Sequence, residues 1–268
     1  MKAVKIRNVV LGEGIPKICI PLTDTDLKGL KQSVKAMKSA PFDFVEWRAD
    51  FYQNIENPQV RFQAMAYLRD QLGDTPILFT LRTDSEGGMA GMETEEYIAM
   101  NLDVIETGLM DLIDVELSKG DDTMRTLVEA AHRAGMKIIA SPHSTTSTPS
   151  KETIVSRLCQ MQHLGADIAK YAVMPQNERD VLTLLDATLT MREEHKETPV
   201  ITMSMGRQGI ISRVCGSVFG SAITFGTAGK ASAPGQPPAD LLSSFIKSLA
   251  WKTAGRGQIT VFKKRRGI

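Results

Sequence analysis

The sequence contains few cysteines. Cys19, Cys159 and Cys215 are the only three among 268 residues, and they share no short spacing. Disulfide frameworks and zinc sites need cysteines in even sets or at fixed short spacings, so the sequence predicts neither. Separate free thiols are typical of a reducing compartment, and we therefore expect a cytoplasmic protein.

Long hydrophobic runs and an excess of charge of one sign are also missing. No stretch approaches the roughly 20 apolar residues of a membrane span. The apolar run 9–11 is broken at once by Gly12, Glu13 and Gly14, unlike the core of a secretory signal. The formal net charge of +1 gives no reason to expect nucleic acid or a membrane as a partner.

The chain does contain short β-branched apolar runs that alternate with longer amphipathic stretches. A strand–helix period of roughly 30 residues is typical of repeated βα units. The runs predict eight buried parallel strands, and the amphipathic stretches predict helices. The predicted strands are 17–21, 42–47, 76–80, 112–116, 137–141, 168–173, 200–203 and 222–225, and the helices are 24–37, 57–71, 94–106, 121–134, 151–164, 178–193 and 239–251.

Eight such units favour an α/β fold of the closed (β/α)8 kind, a TIM barrel, which typically needs about 250 residues. An open sheet would carry a glycine-rich phosphate fingerprint after its first strand, and residues 22–26 have none. We expect one barrel domain over residues 1–251, with an N-terminal β-hairpin that closes the barrel floor. We expect residues 252–268 to be an atypical tail and the small-residue segment 229–238 to be a loop over the active face.

Polar residues stand at the ends of nearly all the predicted strands. Catalytic groups of a parallel barrel lie at these carboxyl ends, so the side chains should converge on one cavity. They are Glu46 and Arg48 after strand two, Arg82 and Glu86 after strand three, Glu116 at strand four, His143 after strand five, Lys170 within strand six, and Ser204 and Arg213 after strand seven.

This set of residue types indicates carbonyl chemistry on an anionic substrate. The arginines fit a carboxylate, because the guanidinium fork matches its two oxygens. Lys170 stands among apolar residues and near other cations, which favours a neutral amine that attacks a ketone and forms an imine. A protonated imine acidifies the neighbouring carbon. His143 is suited to remove that proton, since histidine titrates near neutral pH.

Each of these residues also has a purely structural interpretation. Lys170 could be an exposed edge residue, although a closed barrel has no solvated edge. Glu46 and Arg48 could form an ion pair on one face of their strand. The remaining structural interpretations are a hydrogen-bonded structural histidine at His143, a carboxylate acceptor at Glu116, and core packing at Met203 and Met205.

At these residues the chain resembles the type I 3-dehydroquinate dehydratases of the shikimate pathway. The resemblance covers roughly residues 15–250 and depends on several motifs that occur in order. The motifs are PKICIP, EWRAD, FTLRT followed by EGG, IDVEL, SPH followed by TPS, GADIAKYAVMP, ITMSMGRQGIISR, FGSAITFG and SAPGQ.

The resemblance implies a lyase of aromatic amino acid biosynthesis that converts 3-dehydroquinate to 3-dehydroshikimate and water. It implies a cytoplasmic homodimer that needs no metal or organic cofactor. Lys170 would form a Schiff base with the substrate, His143 would act as general acid and base, and Glu86 would orient His143. The substrate-binding residues would be Arg213, for the carboxylate, with Glu46, Arg48, Arg82, Ser232 and Gln236, and with Met203 and Met205 lining the pocket.

The sequence departs from the family pattern directly after the histidine. The family usually has an aspartate and then an aromatic residue, where this chain has Ser144, Thr145 and Thr146. A barrel that binds small carboxylic acids without turnover therefore stays open as an alternative. A class I aldolase would share Lys170 but should carry a sugar-phosphate site after the last two strands, and Pro234 with its small neighbours fits a carboxylate ligand better.

Overall fold

Nine short strands form the central sheet of the computed structural model, which describes residues 1–229 and 231–250. A separate hairpin, β1 (Val4–Ile6) with β2 (Val9–Leu11), precedes the sheet. The sheet strands all run parallel. They are β3 (Lys17–Leu22), β4 (Phe44–Arg48), β5 (Ile77–Thr80), β6 (Leu112–Glu116), β7 (Lys137–Ser141) with its short continuation β8 (His143–Ser144), β9 (Ile168–Val173), β10 (Val200–Ser204) and β11 (Ile223–Phe225).

The sheet closes on itself. Sequence neighbours pair along the sheet, and β11 returns to pair with β3. The last gap is bridged where the Ala222 backbone N–H donates to the Val200 carbonyl at 2.8 Å. Because β8 continues β7, the sheet is an eight-membered parallel barrel, and the predicted (β/α)8 fold is confirmed.

Helices follow the strands and begin where short polar side chains cap them. Asp26, Asn57, Ser150 and Asn177 each accept a hydrogen bond from a backbone N–H of the first turn. The helices are α1 (Leu27–Met37), α2 (Pro58–Leu72), α3 (Thr94–Thr107), α4 (Asp121–Arg133), α5 (Lys151–His163), α6 (Glu178–Glu194), α7 (Ile210–Val214), α8 (Gly216–Phe219) and α9 (Ala239–Ala250).

The structure differs from the sequence prediction at a few helix positions. Helix α1 begins three residues later than predicted, because Asp26 serves as its cap. Helices α7 and α8 were not predicted, since four or five residues are too short to display a helical period. Trp251, the predicted domain boundary and the tail 252–268 lie outside the described residues.

The lower barrel interior is apolar, and the hairpin covers its floor. The first inward-facing residue of each strand joins one cluster with Ile6, Val9 and Leu11 of the hairpin. Arg7, in the hairpin turn, donates to Asp111 and Asp74 at the same end. The hairpin therefore closes the floor, as predicted. The ring consists of Cys19, Phe44, Leu78, Leu112, Ile139, Ile168, Ile201 and Ile223.

The upper barrel interior is mostly polar. Side chains of a strand alternate between its two faces, so the residues two and four places beyond the apolar ring also point inward. The second layer includes Glu46, Thr80, Asp114, Ser141, Lys170, Met203 and Phe225, and the third includes Arg48, Arg82, Glu116, His143, Ala172 and Met205.

No helix in the described part of the chain is both long enough and apolar enough to cross a membrane.

Candidate active site

One cavity of about 280 Å³ opens at the carboxyl ends of the barrel strands. All eleven residues that the resemblance implied as catalytic or substrate-binding line it, whereas Glu116 and Ser204, which were also expected there, do not. The loop predicted to cover the active face contributes Ser232 and Gln236, although Lys230 of that loop is outside the described residues. The cavity is further lined by Gly87, Thr145, Ala172, Met174, Phe225, Ala233 and Pro234.

Lys170 lies deep in this cavity on β9, with only 4% of its surface exposed. Its Nζ donates to Asp114 Oδ2 at 2.9 Å and lies 3.9 Å from Glu46 Oε1. The Phe225 ring centroid is 5.0 Å away on another side. The sequence argument expected cations beside this lysine, whereas its nearest charged neighbours are carboxylates. They hold the amine at one point of the cavity wall.

Asp114 is a site residue that the sequence analysis did not single out. Besides Lys170, its carboxylate binds Arg82 Nη2 at 2.6 Å and accepts a hydrogen bond from Ser141. Burial raises the pKa of Asp114, but Arg82 and Lys170 outweigh it and hold that pKa well below its usual value. The signal was present in the sequence: an aspartate inside an apolar strand, two residues before Glu116 on the same face.

His143 and Glu86 form a pair at the rim of the same cavity. His143 Nδ1 lies 2.9 Å from Glu86 Oε2, and Ser118 donates to the other carboxylate oxygen. Burial, with Arg82 and Lys170, moves the pKa of His143 well below its ordinary value of 6.5. Burial also raises the pKa of Glu86 to about 7. At neutral pH the histidine is therefore a neutral base that faces a carboxyl group near its titration midpoint.

Arg82 is held by three carboxylates. Its guanidinium lies 2.6 Å from Asp114, 2.9 Å from Glu116 and 3.4 Å from Glu86. Glu116 also accepts hydrogen bonds from the backbone N–H and the hydroxyl of Thr83. The structural interpretation of Glu116 as an acceptor is thus confirmed. Arg82 reaches the cavity as an already paired group.

Glu46 and Arg48 do not pair with each other. Glu46 accepts a hydrogen bond from the Thr80 hydroxyl at 2.9 Å. Arg48 makes two hydrogen bonds of 2.8 Å to Asp50. Asp50, a second residue that sequence reasoning missed, also accepts from the Met89 backbone N–H at 3.1 Å. The proposed Glu46–Arg48 ion pair was therefore wrong, and Asp50 links β4 to the loop that carries Glu86.

Arg213 comes from α7 and has hydrogen-bonding capacity to spare. Its Nη2 donates to the Pro234 carbonyl at 3.2 Å, while its buried Nε has no hydrogen-bond partner among the described residues. Burial lowers the pKa of Arg213 to about 10, which leaves the group positively charged at neutral pH. Across the loop, Gln236 accepts from the Ser232 backbone and donates to its hydroxyl.

Gly235 allows this loop to lie directly on the turn after β10. Its φ of +76° is a conformation that glycine adopts readily. A Cβ at this position would lie 2.3 Å from the Gly206 carbonyl oxygen. The backbone N–H of Gly206 donates to Pro234, which fixes the loop beside Arg213.

Fold and site together define a (β/α)8 barrel protein with a buried lysine, a histidine–glutamate pair and a buried arginine in one pocket. The chain matches the family model for type I 3-dehydroquinase over residues 18–251. It belongs to the type I 3-dehydroquinase family, a family of hydro-lyases.

Named relatives match nearly the whole chain. The 3-dehydroquinate dehydratase of Clostridioides difficile is 46% identical over 92% of this chain and 97% of its own length. That of Bacillus licheniformis is 47% identical over 92% of this chain and 98% of its own length. A crystal structure of the type I enzyme from Clostridium difficile with covalent modified comenic acid superposes with a TM-score of 0.91 at 46% identity, covering 94% of this chain and 99% of that one.

Proposed function

We propose that this protein dehydrates 3-dehydroquinate to 3-dehydroshikimate through a Schiff base on Lys170. The observation that carries the proposal is the position of a buried lysine amine in a pocket that also holds a neutral histidine and an arginine with a free donor. Family membership supports the substrate. The class I aldolase alternative loses its support with that membership.

The first step forms the imine. The Lys170 ammonium gives up a proton and its Nζ adds to the ketone carbon. A second proton then leaves the nitrogen, and the carbonyl oxygen takes up both protons and departs as water, which leaves a protonated imine. Asp114 and Glu46 orient the amine through the contacts at 2.9 and 3.9 Å. The protonated imine then withdraws electrons from the adjacent carbon.

His143 carries out the proton transfers that follow. The neutral imidazole removes a proton from the carbon next to the imine, because its lowered pKa keeps it unprotonated at neutral pH. The resulting enamine expels the hydroxyl group one carbon further on, and His143 returns the proton so that this group leaves as water. Hydrolysis of the imine consumes one water, restores Lys170 and releases the product, so one water is lost overall.

The remaining pocket residues bind and orient the substrate. Arg213 holds the carboxylate, since its Nε is buried without a partner and a carboxylate accepts from a guanidinium at two points. Ser232, Gln236, Glu46 and Arg48 present hydroxyl, amide, carboxylate and guanidinium groups to the substrate hydroxyls. The remaining set comprises Arg82, Glu86, Met203 and Met205, of which Glu86 orients His143 and the methionines form an apolar wall.

Reduction of the imine tests the proposal. Incubation with 3-dehydroquinate and borohydride should add substrate mass to the protein, and peptide mapping should find it on Lys170. Lys170→Ala should lose both the adduct and turnover yet still bind substrate. Near-normal turnover of that variant would refute covalent catalysis. Binding without adduct or turnover in the unmodified protein would favour the acid-binding barrel instead.

We further propose that the protein acts as a cytoplasmic homodimer. The free cysteines Cys19, Cys159 and Cys215 support a reducing compartment. Helices α7, α8 and α9 contact one another and expose large apolar side chains, which suits a contact between copies. Sedimentation equilibrium of the unmodified protein and of Phe245→Asp tests this. The exposed side chains are Ile210, Ile211, Val218, Leu241 and Phe245, each between 43% and 50% exposed.

A further inference from the structure

The segment that carries His143 is joined along its length to the segment that carries Lys170. We call this junction, between residues 142–148 and 171–176, the histidine seam. Besides the pairing of β8 with β9, two bonds between backbone groups and three that involve side chains join the two segments. The bonds are Ala172 N–H to the Pro142 carbonyl at 3.3 Å, Met174 N–H to the Ser147 carbonyl at 3.2 Å, Ser144 with the Tyr171 hydroxyl at 3.3 Å, Thr148 hydroxyl to the Met174 carbonyl at 3.1 Å, and Gln176 amide to the Thr146 carbonyl at 2.8 Å.

The seam fixes the register of His143 relative to Lys170. His143 lies opposite Ala172, which faces inward two residues after Lys170 on the same side of β9. The same register holds on both sides of Pro142, because Ala140 lies opposite Ala169. The histidine therefore stands one inward position above the lysine, on the neighbouring strand.

Ordinary strand pairing does not hold this segment by itself. Pro142 has no N–H to donate, so the ladder between β7 and β9 is interrupted at the residue before His143. Strand β8 is only two residues long, and the residues beyond it are exposed. A short exposed segment of this kind opens easily unless side chains tie it down.

Ser144 contributes on the side away from the cavity. Neighbouring residues of a strand point to opposite faces, so Ser144 faces outward when His143 faces the cavity. Its hydroxyl meets the hydroxyl of Tyr171, a residue only 4% exposed, while His143 meets Glu86. The residue after the histidine is thus bonded to the strand that carries Lys170 on the side away from the cavity.

The geometry points to Tyr171 and Gln176 as positioning residues, which hold His143 at the distance from the Lys170 imine that proton transfer requires. Displacement of a reacting group by 1 Å can cost about a hundredfold in rate. This inference rests on the proposed function, since it concerns the proton transfer that follows imine formation. Neither side chain lines the cavity.

The experiment compares Gln176→Ala and Tyr171→Phe with the matched control Gln162→Ala. Gln162 also bridges two segments, donating to His195 and Thr198, but it does not line the cavity. We expect kcat to fall about tenfold or more in the two seam variants, with KM within about twofold. The fraction of protein trapped as imine by borohydride should rise, because Lys170 still reacts and the later step is slower.

Two substitutions of Ser144 separate the effect of its hydrogen bond to Tyr171 from the effect of side-chain size. Ser144→Asp keeps an acceptor for the Tyr171 hydroxyl and should retain kcat, whereas Ser144→Val removes the bond and should lower it. Unchanged kcat and trapping in the double variant Gln176→Ala/Tyr171→Phe would overturn the inference, as would an equal loss in Gln162→Ala.

Hydrogen exchange keeps this test independent of the proposed function. Amides of residues 143–148 should exchange faster in the seam variants than in the unmodified protein, whether or not 3-dehydroquinate is the substrate. An unmodified protein that forms no adduct would contradict the proposed function. Unaltered exchange in the double variant would contradict the seam.

Discussion

Burial of charged side chains in this site affects the stability of the folded protein, as Glu86 illustrates. Its carboxyl group is buried beside His143 and near Glu116, so its pKa is raised to about 7 from an ordinary 4.5. A carboxyl group whose pKa is higher in the folded state favours folding while protonated. That contribution is complete below about pH 4.5 and is lost as the pH rises through about 7.

Glu86→Gln should therefore stabilise the folded protein at alkaline pH while it lowers turnover. By 1.36 kcal/mol for each pKa unit, ionised Glu86 costs up to about 3 kcal/mol above pH 7. The melting temperature of the variant should rise clearly at pH about 8 and little at pH about 4. Glu129→Gln, at an exposed surface ion pair, serves as control. An equal shift at both pH values would contradict the assigned pKa.

Asp50 binds Arg48 at two points and is shielded from solvent, so its charge should affect the position of Arg48. Asp50→Asn keeps the shape but removes the charge and one acceptor. We expect KM to rise about tenfold, the effect of losing one hydrogen bond to a charged group. Asp103→Asn, which alters another arginine–aspartate pair away from the cavity, is the control. A KM that stays unchanged would mean that Arg48 needs no partner to bind substrate.

At the scale of elements, the strands and long helices were predictable and the short connections were not. The strands 112–116, 137–141 and 168–173 were predicted to the residue, because apolar runs of that length have a strong signal. Helices α7 and α8 and strand β8 are too short to show any period. Their positions depend on packing against neighbours that the sequence does not display.

The location of the candidate site could be predicted from the strand pattern, but the pairing of its charged side chains could not. Residues at strand ends converge because parallel strands share a direction, so seven of the nine polar residues selected at strand ends line one cavity, whereas Glu116 and Ser204 do not. Pairing within the cavity could not be read from spacing. Arg48 binds Asp50 and not Glu46, and Asp114 lies beside Lys170. These partners depend on side-chain length and burial in the folded structure, which residue spacing does not give.

At the scale of the whole molecule, the hairpin and the barrel form one apolar unit beneath the site. Leu11 is fully buried in the cluster that spans the barrel floor. Leu11→Ala should lower the free energy of unfolding by about 2–5 kcal/mol, because it leaves a cavity in a packed core. Denaturant unfolding measures this loss, and kcat of the folded protein should stay unchanged.

The control for this change is Leu182→Ala, since Leu182 is 63% exposed on α6. It should alter stability by less than about 0.5 kcal/mol. A small loss of unfolding free energy in Leu11→Ala would mean that the hairpin is not tightly packed against the barrel floor. A large loss of kcat would mean that the floor and the carboxyl end of the barrel are coupled.

The covered floor also limits the route by which small molecules can enter and leave the cavity. Among the described residues, Ile6, Val9 and Leu11 close the floor and the cavity opens at the carboxyl ends of the strands, so in the proposed reaction substrate, product and water would pass through that end. In the proposed mechanism, the water released when the imine forms would have to pass the bound ring in order to leave. It is therefore well placed to be the same molecule that later cleaves the imine, and the oxygen that enters with the ketone can leave again in the product.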